Sequence, residues 1–137
     1  SSAPPTSEQK QLYAGKLKFF DAIKKLPSFE VRYSRQRPRP GGYIQKGVDV
    51  LLAVDLVRLS SKAQIQKAFL IAGDADYVPA VKVAKDEGVS VKLYHSAALQ
   101  QTEDGRMRPK YSNELWDASD ERASIDANLI SKCEFAA

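Results

Sequence analysis

The sequence predicts an α/β fold built on a mainly parallel sheet, and three observations carry that prediction. Ala68 to Gly73 is a short apolar run ending in glycine, the pattern of a strand buried on both faces of a parallel sheet. Val78, Val81 and Ala84 then line one face of a helix that closes at Gly88, a favourable residue just past a helix end. Val89 to Tyr94 alternates as a second strand. Strand, helix and strand in that order form a βαβ unit, which requires parallel pairing.

At 137 residues the chain has the length of a single domain, 1–137. Its 43% hydrophobic and 28% charged residues are those of an ordinary globular protein. No apolar run approaches the ~20 residues that span a bilayer, so no membrane is expected. Ser1 to Ser7 lacks the apolar core of a signal peptide. Cys133 is the only cysteine, which rules out an intrachain disulfide and points to a reducing, cytoplasmic setting. One His and one Cys cannot build a Cys/His zinc cluster. A metal here would be held by oxygen, which favours Mg²⁺ or Mn²⁺.

Taken in order, Thr6 and Gln9 resemble a capping box. Leu12, Phe19, Phe20, Ile23 and Leu26 recur at helical spacing and read as core, and Pro27 stops that helix. Ser28 to Ser34 alternates like a strand. Pro38, Pro40, Gly41 and Gly42 forbid regular structure in the stretch that follows, so 35–47 reads as a mobile basic loop. Lys46 to Leu59 is too long and too continuously apolar for a strand and reads as a buried helix. Asp49 and Asp55 lie within it, about 120° apart around a helix axis. Only one of them can face a shared site. Asp49, near the helix start beside Lys46, is the candidate; Asp55 sits in the apolar stripe and is expected to accept hydrogen bonds from backbone or an arginine. Ala97 to Ser112 reads as a long polar loop, and 113–130 as a closing helix in which Leu115, Ala118, Ile125 and Leu129 are apolar. Asp117 and Asp120 read as solvent or helix-start charges.

The chemistry concentrates in Gly73-Asp74-Ala75-Asp76, at the carboxyl end of a parallel strand, where ligands of open α/β sheets bind. Two adjacent carboxylates repel unless a cation or proton lies between them. A divalent-metal site is one reading. The other is that an aspartate merely caps the following helix, although Pro79 leaves a cap at Asp76 without one N–H. Arg32, Arg35, Arg37, Arg39 and Lys46 face a single acid, Glu30, between Ser28 and Gly47. Arg106, Arg108 and Lys110 form a second basic patch beside Tyr111. Basic segments with aromatics suit a phosphate backbone and stacked bases; the alternative is an ordinary solvated loop.

Lys46-Gly47-Val48-Asp49-Val50-Leu51-Leu52-Ala53-Val54-Asp55-Leu56, followed by Leu70-Ile71-Ala72-Gly73-Asp74-Ala75-Asp76-Tyr77-Val78-Pro79, resembles the NYN domain, and most closely the LabA-like (DUF88) branch of the PIN-like nucleases. Phe29-Glu30-Val31-Arg32 also fits, and Asn113 to Asp120 is similar to that family's closing Leu-x-x-x-Ala-Asp helix. The resemblance implies a Rossmann-like three-layer sandwich and metal-dependent cleavage of RNA, single-stranded or structured. The metal would make a bound water more acidic and neutralise phosphate charge. Carried over by position, Asp49, Asp74 and Asp76 are the metal-holding and catalytic residues. Lys46, Arg35, Arg37 and Arg39 would contact phosphates, with Asp55, Arg106 and Arg108 as secondary candidates. The family's opening strand, which ends in an Asp followed by Asn, has no counterpart before Ser1: either the sequence is a fragment whose beginning is omitted, or this protein lacks that carboxylate.

Two other functions compete with a ribonuclease. A non-catalytic RNA- or protein-binding module could keep the fold without that first aspartate. A haloacid-dehalogenase-like phosphatase also binds Mg²⁺ through Gly-Asp-x-x-Asp turns, but it needs an upstream Asp-x-Asp that is not present. The sequence leaves a homodimer open.

Overall fold

A computed structural model describes residues 4–40 and 42–133, with the backbone alone for 38, 39 and 42–45. Two compact units divide the chain, Ser1–Val48 and Asp49–Ala137. No helix among the described residues is long and apolar enough to cross a membrane.

In the first unit, α1 (Ser7–Lys24) opens on the expected capping box. The Gln9 N–H donates to the Thr6 hydroxyl at 3.3 Å, and the Thr6 N–H donates to the Gln9 side chain at 3.0 Å. Two orphan donors of the first turn are thereby satisfied. The apolar stripe is not core: no α1 residue is buried, and Leu12 and Phe19 are 65% and 60% exposed. Only Phe20 and Ile23 are half-buried. Phe20 meets Tyr33 edge-on at 5.9 Å, and Lys24 Nζ lies 4.4 Å over the Tyr33 ring. Ser28–Ser34 folds against this end of the helix without joining a ladder, so the strand expected there is irregular chain.

The stretch expected to be a mobile loop is instead a ribbon. Strand β1 (Arg35–Arg39) pairs antiparallel with β2 (Gly42–Lys46), with Arg35 opposite Lys46 and Arg37 opposite Ile44. Prolines are excluded from central strands because they cannot donate to a ladder. Both strands of a two-stranded ribbon are edges, where Pro38 is tolerated.

In the second unit, α2 (Val48–Ser61) is followed by β3 (Lys67–Ile71), a 3₁₀ turn (Ala75–Tyr77), α3 (Val78–Asp86) and β4 (Ser90–Ser96). Strand β4 runs parallel to β3 with Leu70 opposite Leu93, which completes the expected βαβ unit. Gly88 ends the crossover at φ +84°, a left-handed conformation that glycine adopts without a steric penalty. The predicted polar loop contains a small hairpin, β5 (Leu99–Gln101) with β6 (Met107–Pro109).

The predicted closing helix is three elements. Helix α4 (Asn113–Ala118) stops, β7 (Glu121–Ile125) joins the sheet parallel to β4, and α5 (Ala127–Lys132) follows. The sheet order is β3-β4-β7. Asp120 explains the break. Its Oδ2 accepts from Val91 N–H at 2.8 Å, its own N–H donates to Val91 carbonyl at 2.9 Å, and Lys85 Nζ lies 3.6 Å from Oδ1. Asp120 is thus a sheet clamp rather than a solvent charge. Arg122 locks the same corner, donating to the carbonyls of Trp116 at 2.6 Å and Ser119 at 3.0 Å while its guanidinium lies 4.0 Å over the Trp116 ring. Replacing Asp120 by alanine orphans the Val91 N–H, and a lost hydrogen bond to a charged group typically costs about 1.5–3 kcal/mol. Urea unfolding of Asp120→Ala is expected to show that loss at an unchanged m-value.

The core lies on one face of the sheet, where Leu56, Leu70, Val81, Val91, Leu93 and Leu115 bring α2, α3 and α4 onto β3 and β4. The fold is therefore mixed α/β around a parallel sheet, as the sequence predicts. The other face is sparsely covered: Phe69 and Ile71 are 63% and 72% exposed. They line an apolar groove of about 580 Å³ with Tyr94, Ile125 and α5.

Candidate metal centre

Gly73 turns the chain out of β3. Its carbonyl accepts from Ser112 N–H at 2.7 Å, and a Cβ added there would lie 3.2 Å from the Lys110 carbonyl oxygen. A side chain would crowd the docking of this turn on 110–112. Asp74 comes next and caps the 3₁₀ turn, its Oδ1 accepting from Asp76 N–H at 3.0 Å. The capping role weighed for Asp76 therefore belongs to Asp74, which uses one carboxylate oxygen for it. Asp76 lies within the turn; both side chains are exposed.

Asp49 sits in the first turn of α2, where the helix dipole favours a negative charge. Its Oδ1 accepts from the Tyr77 hydroxyl at 2.7 Å. Tyr77 is 6% exposed and follows Asp76 directly, so a single side chain links α2 to the aspartate turn. Burial raises the Tyr77 pKa well above the usual tyrosine value. The hydrogen bond to Asp49 and the negative charges of Asp49, Asp74 and Asp76 push it the same way. All three predicted carboxylates therefore act on one buried hydroxyl, which stays protonated and donates.

Whether this set suits a divalent ion follows from its chemistry. It offers only carboxylate oxygens, the donors of hard cations. Among the described residues, no three or more His, Cys, Asp or Glu side chains converge closely enough to hold an ion by themselves. Mg²⁺ is commonly bound by one or two carboxylates, with waters and substrate phosphates completing its shell. The residues fit an ion held in that way, not a closed protein cage.

The remaining candidates fall elsewhere. Asp55 is half-buried and pairs with Arg58 one helical turn on, at 3.4 Å, as its place in the stripe suggests. Arg106 is engaged by Asp104 at 3.2 Å within the β5–β6 turn, while Arg108 is exposed on β6. Arg35, Arg37 and Lys46 are exposed on the ribbon of the first unit; the Arg39 side chain lies outside the described residues. His95 packs on Tyr111 with ring centroids 4.1 Å apart. A second groove of about 430 Å³ opens beside Gly73 at the carboxyl ends of β3 and β4, with Ser96 and Lys110 in its wall. Tyr77 is the residue that sequence reasoning missed, because a tyrosine at the end of that turn carries no local sign of a partner 28 residues away.

The NYN domain family matches residues 7–124. The uncharacterized protein y4oD of Sinorhizobium fredii is 36% identical over 75 residues, which cover 53% of this chain and 35% of that protein. The matched stretch thus spans about a third of that curated relative's length. No solved structure matches. With the family match running from α1 through the aspartate turn into β7, the chain belongs to the NYN domain family.

Proposed function

We propose that this protein is a divalent-metal-dependent ribonuclease of the PIN-like type, in the LabA-like (DUF88) branch of the NYN family, that hydrolyses phosphodiester bonds of RNA. The observation that supports the reading is the Tyr77–Asp49 hydrogen bond, which ties the α2 carboxylate to the residue that directly follows Asp76. Mg²⁺ or Mn²⁺, when bound, supplies charge neutralisation at the phosphate and a more acidic water. Asp49, Asp74 and Asp76 are the carboxylates that would hold the ion, one or two directly and the rest through its water shell, Asp74 with the oxygen that does not cap the turn.

Phosphate contacts fall to the ribbon. Side chains alternate along a strand, so Arg35 and Arg37 share a face, and Lys46 stands directly opposite Arg35 on that same face. Like charges placed opposite each other are destabilising; an anion between them reverses the sign. Arg39 belongs to the proposed set by sequence position.

A second reading, an RNA-binding module without turnover, is favoured by the lack of a converged carboxylate trio among the described residues. Metal removal separates the two. Incubation of a labelled oligoribonucleotide with the chelated protein is expected to give no cleavage, and added Mn²⁺ to restore it. Salt-sensitive binding with no product at any Mn²⁺ concentration would establish the binding module instead.

A further inference from the structure

We propose that Tyr77 is a positioning residue for Asp49, its hydroxyl fixing the carboxylate so that Oδ2 is presented toward the aspartate turn; this rests on the metal-dependent reading above. The ring and the hydroxyl do different things. The ring is packed in the core cluster with Leu70, Val81 and Leu115, a place phenylalanine would fill equally well. The hydroxyl reaches the exposed Asp49 at 2.7 Å, across 28 residues of sequence. It occupies Oδ1, and among the described residues no hydrogen bond is made to Oδ2. A carboxylate on an exposed helix turn otherwise samples several rotamers. One hydrogen bond from a buried, rigid donor removes that freedom. Groups of this kind, bonded to a ligand rather than to the ion, orient ligands in metal sites generally. Tyr77 also follows Asp76 directly, so the residue that holds Asp49 is covalently part of the turn it must face.

Three chains test this: the parent, Tyr77→Phe and Asp49→Asn, each titrated with Mn²⁺ and followed by the electron paramagnetic resonance of the free ion. Tyr77→Phe is expected to weaken Mn²⁺ binding by roughly 10–100-fold, while its melting temperature in chelator stays within a few degrees of the parent's. Asp49→Asn keeps an oxygen to accept from Tyr77 but loses the charge, and it too binds Mn²⁺ more weakly. Parent-like affinity in Tyr77→Phe beside a loss in Asp49→Asn would overturn the positioning role and leave the metal reading standing. No Mn²⁺ binding by the parent would overturn both. Should Tyr77→Phe fail to fold, the parent chain carrying ¹³C-tyrosine decides the matter. Mn²⁺ is expected to broaden the Tyr77 ring signal, and Asp49→Asn to remove that effect; an unbroadened signal at saturating Mn²⁺ refutes the proposal.

Discussion

Asp74→Asn is expected to lower Mn²⁺-dependent RNA cleavage by a factor on the order of 10²–10³, the range seen when one preorganised electrostatic group is removed from a reacting phosphate or oxyanion. The substitution isolates charge from structure. Asn is as good an N-cap as Asp, and its amide oxygen can still accept from the Asp76 N–H, which now bonds to Oδ1 at 3.0 Å. The turn is kept while a negative charge beside Asp76 is lost. Asp74→Ala would confound the two, since a lost cap alone costs about 0.5–2 kcal/mol.

The same variant has a second, opposite signature. Asp74 and Asp76 lie on one turn, and carboxylates set close together repel when no cation is present. In chelator, Asp74→Asn should therefore melt no lower than the parent. With Mn²⁺ the order reverses, because a ligand bound only to the folded state at about 100 times its Kd adds about 2.7 kcal/mol. Thermal unfolding of both proteins with and without Mn²⁺ reads this crossover. Cleavage by Asp74→Asn at the parent rate would remove Asp74 from the proposed centre.

The parts legible in the sequence were those with local causes. Thr6 and Gln9 announce a helix start three residues apart. The Ala68–Gly73 run and the Gly88 stop define the βαβ unit, and the two aspartates after β3 mark the rim. What escaped has causes distant in sequence. Leu115, Ala118, Ile125 and Leu129 keep helical spacing, yet Asp120 leaves the helix to pair with Val91 on β4. No window around residue 120 contains that partner. Pro38 argues against a strand, and the argument fails because both strands of the ribbon are edges, while Pro40 lies just past the end of β1. The apolar residues of α1 follow a core pattern, yet none is buried. Among the candidates for the site, Asp49, Asp74 and Asp76 were named from the sequence. Their link through Tyr77 depends on side-chain reach and could come only from coordinates.

The largest effect on stability is expected at Leu93. It is fully buried in β4, the middle strand, between β3 and β7. Truncation to alanine at such a site removes transfer energy and leaves a cavity, together about 2–5 kcal/mol. Domains of this size are stable by only about 5–15 kcal/mol, so Leu93→Ala removes a large share of the total. Phe69 supplies the control. It is larger, sits one residue before Leu70, which pairs with Leu93 on the neighbouring strand, and faces the open side of the sheet at 63% exposure. Phe69→Ala should change stability by roughly 0.5 kcal/mol or less if that face is solvated, as surface positions generally do. Urea midpoints at constant m-value read both numbers. A loss from Phe69→Ala matching that from Leu93→Ala would mean that the Phe69 face is covered in solution. β3, which carries the Gly73–Asp76 turn, is held on β4 through this core. Cleavage by Leu93→Ala should therefore fall with the folded fraction as temperature rises, at an unchanged rate per folded molecule. A lower rate per folded molecule at low temperature would instead show that core packing around β4 sets the geometry of the aspartate turn.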